Sequence, residues 1–217
     1  MKSFVLVGTL LLTFLAKGQK AYLYFKISYP LAGTPRELKS GMKASGFDNS
    51  TTVLFSQDYP RVIRYPSVVA EWGKYIAEKK SLSILAGLQE AGTVKGYNTN
   101  KGGIAINYTN VIFNPRFNFH RRSAILGIGP SALLILYKKP RHQLGDYNHS
   151  KWLPGASLSV ESVSRKKRGF RLGVFATLNL YPGFKIKPLI INTPYQQINF
   201  QSSLNPSALH LGFRFQF

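Results

Sequence analysis

Apolar and polar residues alternate strictly along the last eleven positions of the chain, 207–217. Large apolar residues share one parity and small or polar residues the other: Leu209, Leu211, Phe213, Phe215 and Phe217 against Ala208, His210, Gly212, Arg214 and Gln216. A period of two predicts an extended strand with one apolar and one polar face. At the edge of a soluble protein such a strand would promote aggregation. The pattern therefore favours a closed barrel in lipid, where large side chains face acyl chains and small or polar ones face the interior.

Seven further segments show comparable alternation, so eight strands are predicted in all. They cover residues 20–29, 65–77, 82–97, 102–119, 123–137, 156–164, 169–181 and 207–217. In the fourth segment the alternation shifts near 109–111, which predicts a β-bulge there. A short helix is predicted at 34–45, with Thr34 as its N-cap and Pro35 in the first helical position.

The connections between these segments alternate in length. Short turns fall at 78–81, 120–122 and 165–168, and longer loops fall at 31–64, 138–155 and 182–206, with a briefer one at 98–101. Short turns on one side and long loops on the other are typical of outer-membrane barrels. We therefore predict an all-β fold: an eight-stranded antiparallel transmembrane β-barrel with long extracellular loops and both termini on the periplasmic side.

Aromatic residues gather near the predicted strand ends. One group lies beside the long loops (Tyr29, Tyr65, Tyr97, Tyr137, Trp152 and Tyr181) and a second lies at the other ends (Tyr22, Tyr75, Phe119, Phe170 and Phe217). Amphipathic rings at two interfaces are favoured by a bilayer. The alternative is a soluble sandwich or lipocalin-like barrel with an aromatic core.

The beginning of the chain predicts export. Lys2 gives a positive start, residues 4–15 form an apolar run too short to span a bilayer, and Ala16 and Gly18 supply small residues around a cleavage site. We expect a signal peptide at 1–18 and one mature domain at 19–217, with an uncleaved membrane anchor as the alternative.

Composition narrows the classes of partner. The chain has no cysteine, which excludes disulfides, thiolate metal sites and a lipid anchor on an N-terminal cysteine. Without residues 1–18 it keeps 27 basic and 8 acidic residues, a net charge of +19. The positive electrostatic field of such a chain favours binding to lipid phosphates, lipopolysaccharide or an acidic protein. Nucleic acid is not favoured, because the sequence has no recognition motif of the usual kinds.

The interior of an eight-stranded barrel is just wide enough for side chains. Alternation places several polar residues there: Lys26, Glu71, Gln89, Glu161, Arg171, His210 and Arg214. Because isolated buried charges are costly, we expect Glu71 and Glu161 to be the hubs of an ionic network that fills the interior. Its other predicted members are Lys26, Arg171, His210 and Arg214. The alternative is a path for protons or a solute.

The three short turns are rich in basic residues. We expect these side chains to gather on a periplasmic rim: Lys79, Lys80, Arg121, Arg122, Arg165, Lys166, Lys167 and Arg168. They would either reach lipid phosphates or dock an acidic periplasmic or outer-membrane protein.

The mature chain resembles the small OmpA-like outer-membrane barrels. Its Gln19 start and its basic, cysteine-free composition resemble the Bacteroidota proteins with an outer membrane protein beta-barrel domain, which include the PorT group. The resemblance implies a structural protein, a surface adhesin or an accessory subunit of a secretion or assembly complex in a Gram-negative outer membrane. It also implies that Phe213, Phe215 and Phe217 present an assembly signal to the barrel-assembly machinery.

Some similar barrels modify lipid A with Ser, His and an acidic residue. Here His142, Asp146, His149 and Ser150 are close in sequence, but nothing in the loop positions a nucleophile. We therefore expect that the protein is not an enzyme and that it has no catalytic residue, metal or cofactor. We predict a structural or accessory role. The alternatives are a lipid A-modifying hydrolase and a small transport protein.

Overall fold

The computed structural model describes residues 21–31, 34–49, 58–100, 102–138, 148–162, 171–186, 189–192, 197–200 and 202–216. The predicted signal peptide, the basic turn at 165–168, and His142, Asp146, Phe170 and Phe217 lie outside the described residues.

The chain is nearly all β with antiparallel pairing. Its long strands are β1 (Ala21–Pro30), β3 (Ser67–Ala77), β4 (Lys80–Asn98), β5 (Gly102–His120), β6 (Ala124–Lys138), β7 (Asn148–Ser162), β8 (Arg171–Leu180) and β13 (Ala208–Gln216). The short ones are β2 (Arg61–Tyr65), β9 (Phe184–Lys185), β10 (Leu189–Asn192), β11 (Gln197–Phe200) and β12 (Ser203–Leu204). The helix α1 spans Thr34–Ala44. Among the described residues, no helix combines the length and apolar character needed to cross a membrane.

Each long strand pairs with two others. The order is β1, β3, β4, β5, β6, β7, β8, β13, and β13 pairs again with β1. In the last pairing Ile27 lies opposite Phe213. Strand β2 adds to β4 next to β3, while β10 with β11 and β9 with β12 form small separate sheets.

The two faces of the long strands differ sharply in exposure. On β1 the apolar Leu23, Phe25 and Ile27 are more than 40% exposed, whereas Lys26 and Ser28 are buried. The same arrangement continues around the strands, with exposed apolar residues Val68, Ile128, Leu158, Val160, Leu172, Val174, Leu211 and Phe213. The exposed face is thus apolar, and much of the buried face is polar.

The buried face changes character along β5. Ile104 and Ile106 lie in an apolar cluster with Leu38 of α1, whereas Arg116 and Asn118 lie in a polar region farther along the strand. The apolar half of the interior is therefore at the end that α1 covers, and the polar half is at the end with the β3–β4 and β5–β6 turns.

Several predicted elements are confirmed and several need correction. The helix prediction is confirmed by α1. The predicted second strand is extended and divided at Pro66 into β2 and β3, which both pair with β4. Strand β7 begins at Asn148, not at 156, because Pro154 and Gly155 stay within its pairing with β6. A proline removes one backbone donor, and here that loss does not end the strand.

The bulge lies on the other strand of the predicted pair. The register of β4 and β5 shifts between Leu88 and Glu90, opposite Val111 and Asn110. Buried and exposed positions stay in phase through this part of β5, whereas Gln89 and Glu90 are consecutive buried residues of β4. The extra residue therefore belongs to β4, and the shift predicted at 109–111 was assigned to the wrong strand.

The predicted aromatic groups are only partly on the exposed face. Tyr29, Tyr65 and Trp152 are exposed by 51–59%, but Tyr137 and Tyr181 are buried. Tyr137 shares the parity of the buried Leu133 and Ile135, so its ring points into the apolar cluster. Tyr22 of the second group is also buried.

Candidate functional site: the ion cluster and the basic end

Lys26 of β1 lies at the centre of the polar region. Its ammonium group is completely buried and pairs with the carboxylates of Glu71 on β3 and Glu161 on β7. The same ammonium lies 5.3 Å from the centre of the Phe175 ring. Strands β1 and β7 are not neighbours, so this contact crosses the interior.

Arg214 of β13 also forms an ion pair with Glu161. Its Nη1 donates to Glu161 Oε2 at 3.0 Å, and its Nη2 donates to the Ser162 carbonyl oxygen at 2.8 Å. The guanidinium carbon lies 4.4 Å from the centre of the Tyr24 ring. Charge pairing, hydrogen bonding and ring stacking together fix this side chain.

Arg116 of β5 also joins the group, although it is not among the predicted network residues. Its Nη1 lies 3.5 Å from Glu161 Oε1 and 3.9 Å from Glu71 Oε2. Its guanidinium also donates to Ser157, Ser159 and Asn114. The spacing of Asn114, Arg116 and Asn118 was the available signal, since residues two apart share one face of a strand.

Lys26, Glu71, Arg116, Glu161 and Arg214, hereafter the ion cluster, are at most 4% exposed. Three cations face two carboxylates, so the group carries one excess positive charge. Because unpaired buried ions are strongly unfavourable, the paired cluster fixes the relative positions of β1, β3, β5, β7 and β13.

A series of hydrogen bonds connects the ion cluster with the turn end of the molecule. Asn118 donates to Glu71 at 3.3 Å and to the Tyr22 hydroxyl at 3.1 Å. The Ser81 hydroxyl is 2.7 Å from the Tyr22 hydroxyl and 2.7 Å from His120 Nε2. The ordered polar interior thus extends to His120.

Two predicted network residues lie away from the ion cluster. Arg171 is half-buried at the start of β8, near the turn end. His210 is buried on β13, with Nδ1 3.4 Å from the Ser28 hydroxyl. His210 and Gln89 both line an internal cavity of about 20 Å³, which has room for one water molecule.

An open cavity of about 670 Å³, hereafter the vestibule, lies at the turn end. Its walls include Tyr22, Tyr24, Tyr75, His120, Arg171 and Gln216. The Tyr75 ring centre is 4.7 Å from that of His120 and 5.4 Å from that of Tyr22. These three rings therefore form one contiguous aromatic part of the lining, hereafter the aromatic wall.

Two basic turns border the vestibule. Lys79, Lys80, Arg121 and Arg122, hereafter the basic rim, are all exposed. The His120 N–H donates to the Lys79 carbonyl oxygen at 2.8 Å, which holds the two turns side by side. This places half of the predicted basic residues together, while 165–168 lie outside the described part of the chain.

The opposite end is covered by α1. Leu38 and Met42 are fully buried in the apolar cluster, and Asn110 Nδ2 donates to the Thr34 hydroxyl at 3.1 Å. The Asn205 N–H donates to the Glu37 carboxylate, whose pKa is raised by partial burial. Helix α1 is thus attached both to β5 and to the segment that precedes β13.

The residues considered for hydrolysis are not brought together in the described part of the chain. His149 and Ser150 are consecutive in β7, so their side chains point to opposite faces. The His149 ring packs against Phe184, with 6.3 Å between ring centres, and Ser150 is exposed.

No protein-family model matches the sequence, and no curated protein matches it. Solved structures of small outer-membrane proteins show limited similarity. The outer membrane protein OprG from Pseudomonas aeruginosa aligns over 92% of this chain and 96% of its own, at 9% identity and a TM-score of 0.48. Neisserial surface protein A aligns over 93% and 100%, at 12% identity and a TM-score of 0.40. The outer membrane protein AlkL aligns over 92% and 90%, at 13% identity and a TM-score of 0.45. Because these scores are below 0.5, the similarities establish no function for this chain.

Proposed function

We propose that the chain is a closed, eight-stranded outer-membrane β-barrel with a structural or accessory role, and that it docks an acidic periplasmic protein. The return of β13 to β1 supports closure of the barrel. The excess of basic residues at the turn end supports the docking role.

The inverted distribution of polarity is the observation that carries this proposal. Soluble proteins bury large apolar side chains and expose charged ones. Here Leu172, Val174 and Phe213 are at least half exposed, while the ion cluster is buried. A contiguous apolar surface around all the strands would aggregate in water but is stable against acyl chains.

The filled interior supports a structural role over conduction. The ion cluster occupies the polar half, and the apolar cluster under α1 occupies the other half. Opening a pore would require breaking several buried ion pairs, and eight strands leave little space beyond their own side chains.

The location is tested by inserting charge on the exposed face. Ile128→Arg places a cation at a 55% exposed site on β6, and Leu31→Arg is the control at a 58% exposed site outside the strands. In a bilayer we expect Ile128→Arg alone to destabilise the refolded protein, by roughly 2–4 kcal/mol near the midplane. Urea unfolding in lipid vesicles measures this change. Wild-type protein that fractionates as a soluble monomer, or equal midpoints for both variants, would contradict the proposal.

The docking role is tested by removing charge from the basic rim. One variant changes Lys79, Lys80, Arg121 and Arg122 to Ser, and the control changes four exposed basic residues of the other end, Arg61, Lys95, Lys151 and Lys185, to Ser. We expect only the rim variant to lose a cross-linked partner from native membranes, and we expect rising salt to weaken that complex, because exposed charges are screened. If both variants recover the cross-linked partner equally, the docking role is wrong and the basic rim contacts lipid phosphates alone.

A further inference from the structure

The vestibule and the basic rim lie at the same end of the molecule but differ in chemistry. The rim cations are on exposed turns, outside the cavity. Among the described lining residues, Arg171 and Glu78 bring opposite charges, so this part of the lining is close to electrically balanced. Its distinctive feature is the aromatic wall of Tyr22, Tyr75 and His120.

We propose that the vestibule is an anchor pocket that receives one aromatic side chain from an extended acidic peptide segment whose carboxylates contact the basic rim. This inference rests on the proposed docking role and identifies the partner's recognition element. The peptide chain would cross the turns that carry Lys79 and Arg121 and insert a single ring beside Tyr75.

The separation of charge from cavity favours a peptide over a small anion. A small anion confined to the vestibule would meet Glu78 as well as Arg171 and would not reach the rim cations. An extended segment can satisfy both surfaces at once. The volume of about 670 Å³ has room for an aromatic side chain together with part of the segment that carries it. The Tyr and His rings provide the stacking and edge contacts that aromatic anchors use.

The two surfaces would act on different rate constants. Exposed charges at the edge of an interface mainly increase the association rate and its dependence on salt. A ring buried in a central pocket mainly slows dissociation. The rim and the vestibule can therefore be separated kinetically.

The test uses fluorescently labelled twelve-residue peptides and the full barrel refolded in uncharged lipid nanodiscs. One peptide is Glu-rich with a central Trp, and the second has Ala at that position. We expect the Trp peptide to dissociate at least about tenfold more slowly, as for an anchor residue. Neutralising the rim should slow association and flatten its salt dependence while keeping the preference for Trp.

The vestibule is blocked from its mouth by Ala77→Trp, which adds a side chain at an exposed lining position. Ser150→Trp is the matched control at an exposed site in β7. Ala77→Trp should abolish the preference for the Trp peptide and leave the salt dependence unchanged, whereas Ser150→Trp should change neither. Tyr75→Leu is a second variant that removes part of the wall.

Three outcomes would overturn the anchor. The wild type could bind both peptides with equal dissociation rates, which would leave salt-dependent docking intact. Ala77→Trp and Tyr75→Leu, with folding verified by heat-modifiable mobility, could both keep the preference. The third outcome is that the wild type binds neither peptide at low salt, and this result would overturn the proposed docking role as well.

Discussion

Lys26 on β1 and Glu161 on β7 form a buried ion pair although 135 positions separate them in the sequence. Strands β13 and β8 lie between their strands in the sheet order. The pair therefore crosses the interior of the proposed barrel between strands that are not neighbours, and its geometry depends on every strand pairing between them.

Lys26→Met should destabilise the protein strongly. It keeps most of the side-chain volume but removes the cation shared by Glu71 and Glu161. Losing one partner of a buried ionic group typically costs about 3–5 kcal/mol. Urea unfolding of protein refolded in detergent measures the loss. Lys95→Met, at an exposed position of β4, is the control and should be close to neutral; equal unfolding midpoints would contradict the central position of Lys26.

Glu161→Gln should be more destabilising than Glu71→Gln. Among the described residues, the Glu161 carboxylate pairs with three cations, Lys26, Arg116 and Arg214. The Glu71 carboxylate pairs with two of them, Lys26 and, at 3.9 Å, Arg116. The same unfolding measurement ranks the two variants. The reverse order would show that the Ser83 hydroxyl, 2.5 Å from Glu71, compensates for more than the ion pairs indicate.

A disulfide between Ile27→Cys and Phe213→Cys should close the ring of strands covalently. These residues are direct partners of β1 and β13, and the spacing of opposite strand residues suits a disulfide. The chain has no other cysteine. Oxidation should change mobility in non-reducing gels after boiling. The control pair Ile27→Cys with Leu172→Cys joins strands that are not neighbours, and equally efficient oxidation of this pair would contradict the pairing.

Leu38→Ser should detach α1 without unfolding the strands. Leu38 is fully buried in the apolar cluster, and truncating a buried leucine commonly costs about 2–5 kcal/mol. We expect faster proteolysis within α1 and little change in the unfolding of the strands. Lys39→Ser, at the exposed neighbouring position, should leave the proteolysis rate unchanged. If the strands of Leu38→Ser also unfold more readily, α1 stabilises the whole fold and not just the end of the interior that it covers.

Local alternation was sufficient to predict which face β1, β8 and β13 expose. It separates Lys26 from Phe25 on β1, and Arg214 from Phe213 on β13, as the structure does. It does not determine which interior residues meet. That depends on the stagger between strands, which brings Arg116, already marked as inward by its spacing, to Glu161 and leaves Arg171 in the vestibule.

Other differences have local causes. Gln89 and Glu90 are consecutive, polar and buried, so the alternation is interrupted on β4, whereas the bulge was predicted on β5. Tyr137 suits an interface by its chemistry, but its parity along β6 places it inside. In the described part of the chain, the short strands between Phe184 and Leu204 pair with each other, and their sequence has no long alternation to reveal them.

The orientation of the strand faces is tested most directly by a nitroxide scan of β8. Single cysteines in this cysteine-free chain would carry the label at Leu172, Val174 and Leu180 on the exposed face, and at Thr177 and Asn179 on the buried face. In lipid vesicles we expect the first three labels to be accessible to oxygen and shielded from a water-soluble nickel reagent, and the other two to be shielded from oxygen. If the nickel reagent reaches the label at position 174 as readily as a label in bulk water, the proposal that the apolar face contacts lipid is wrong.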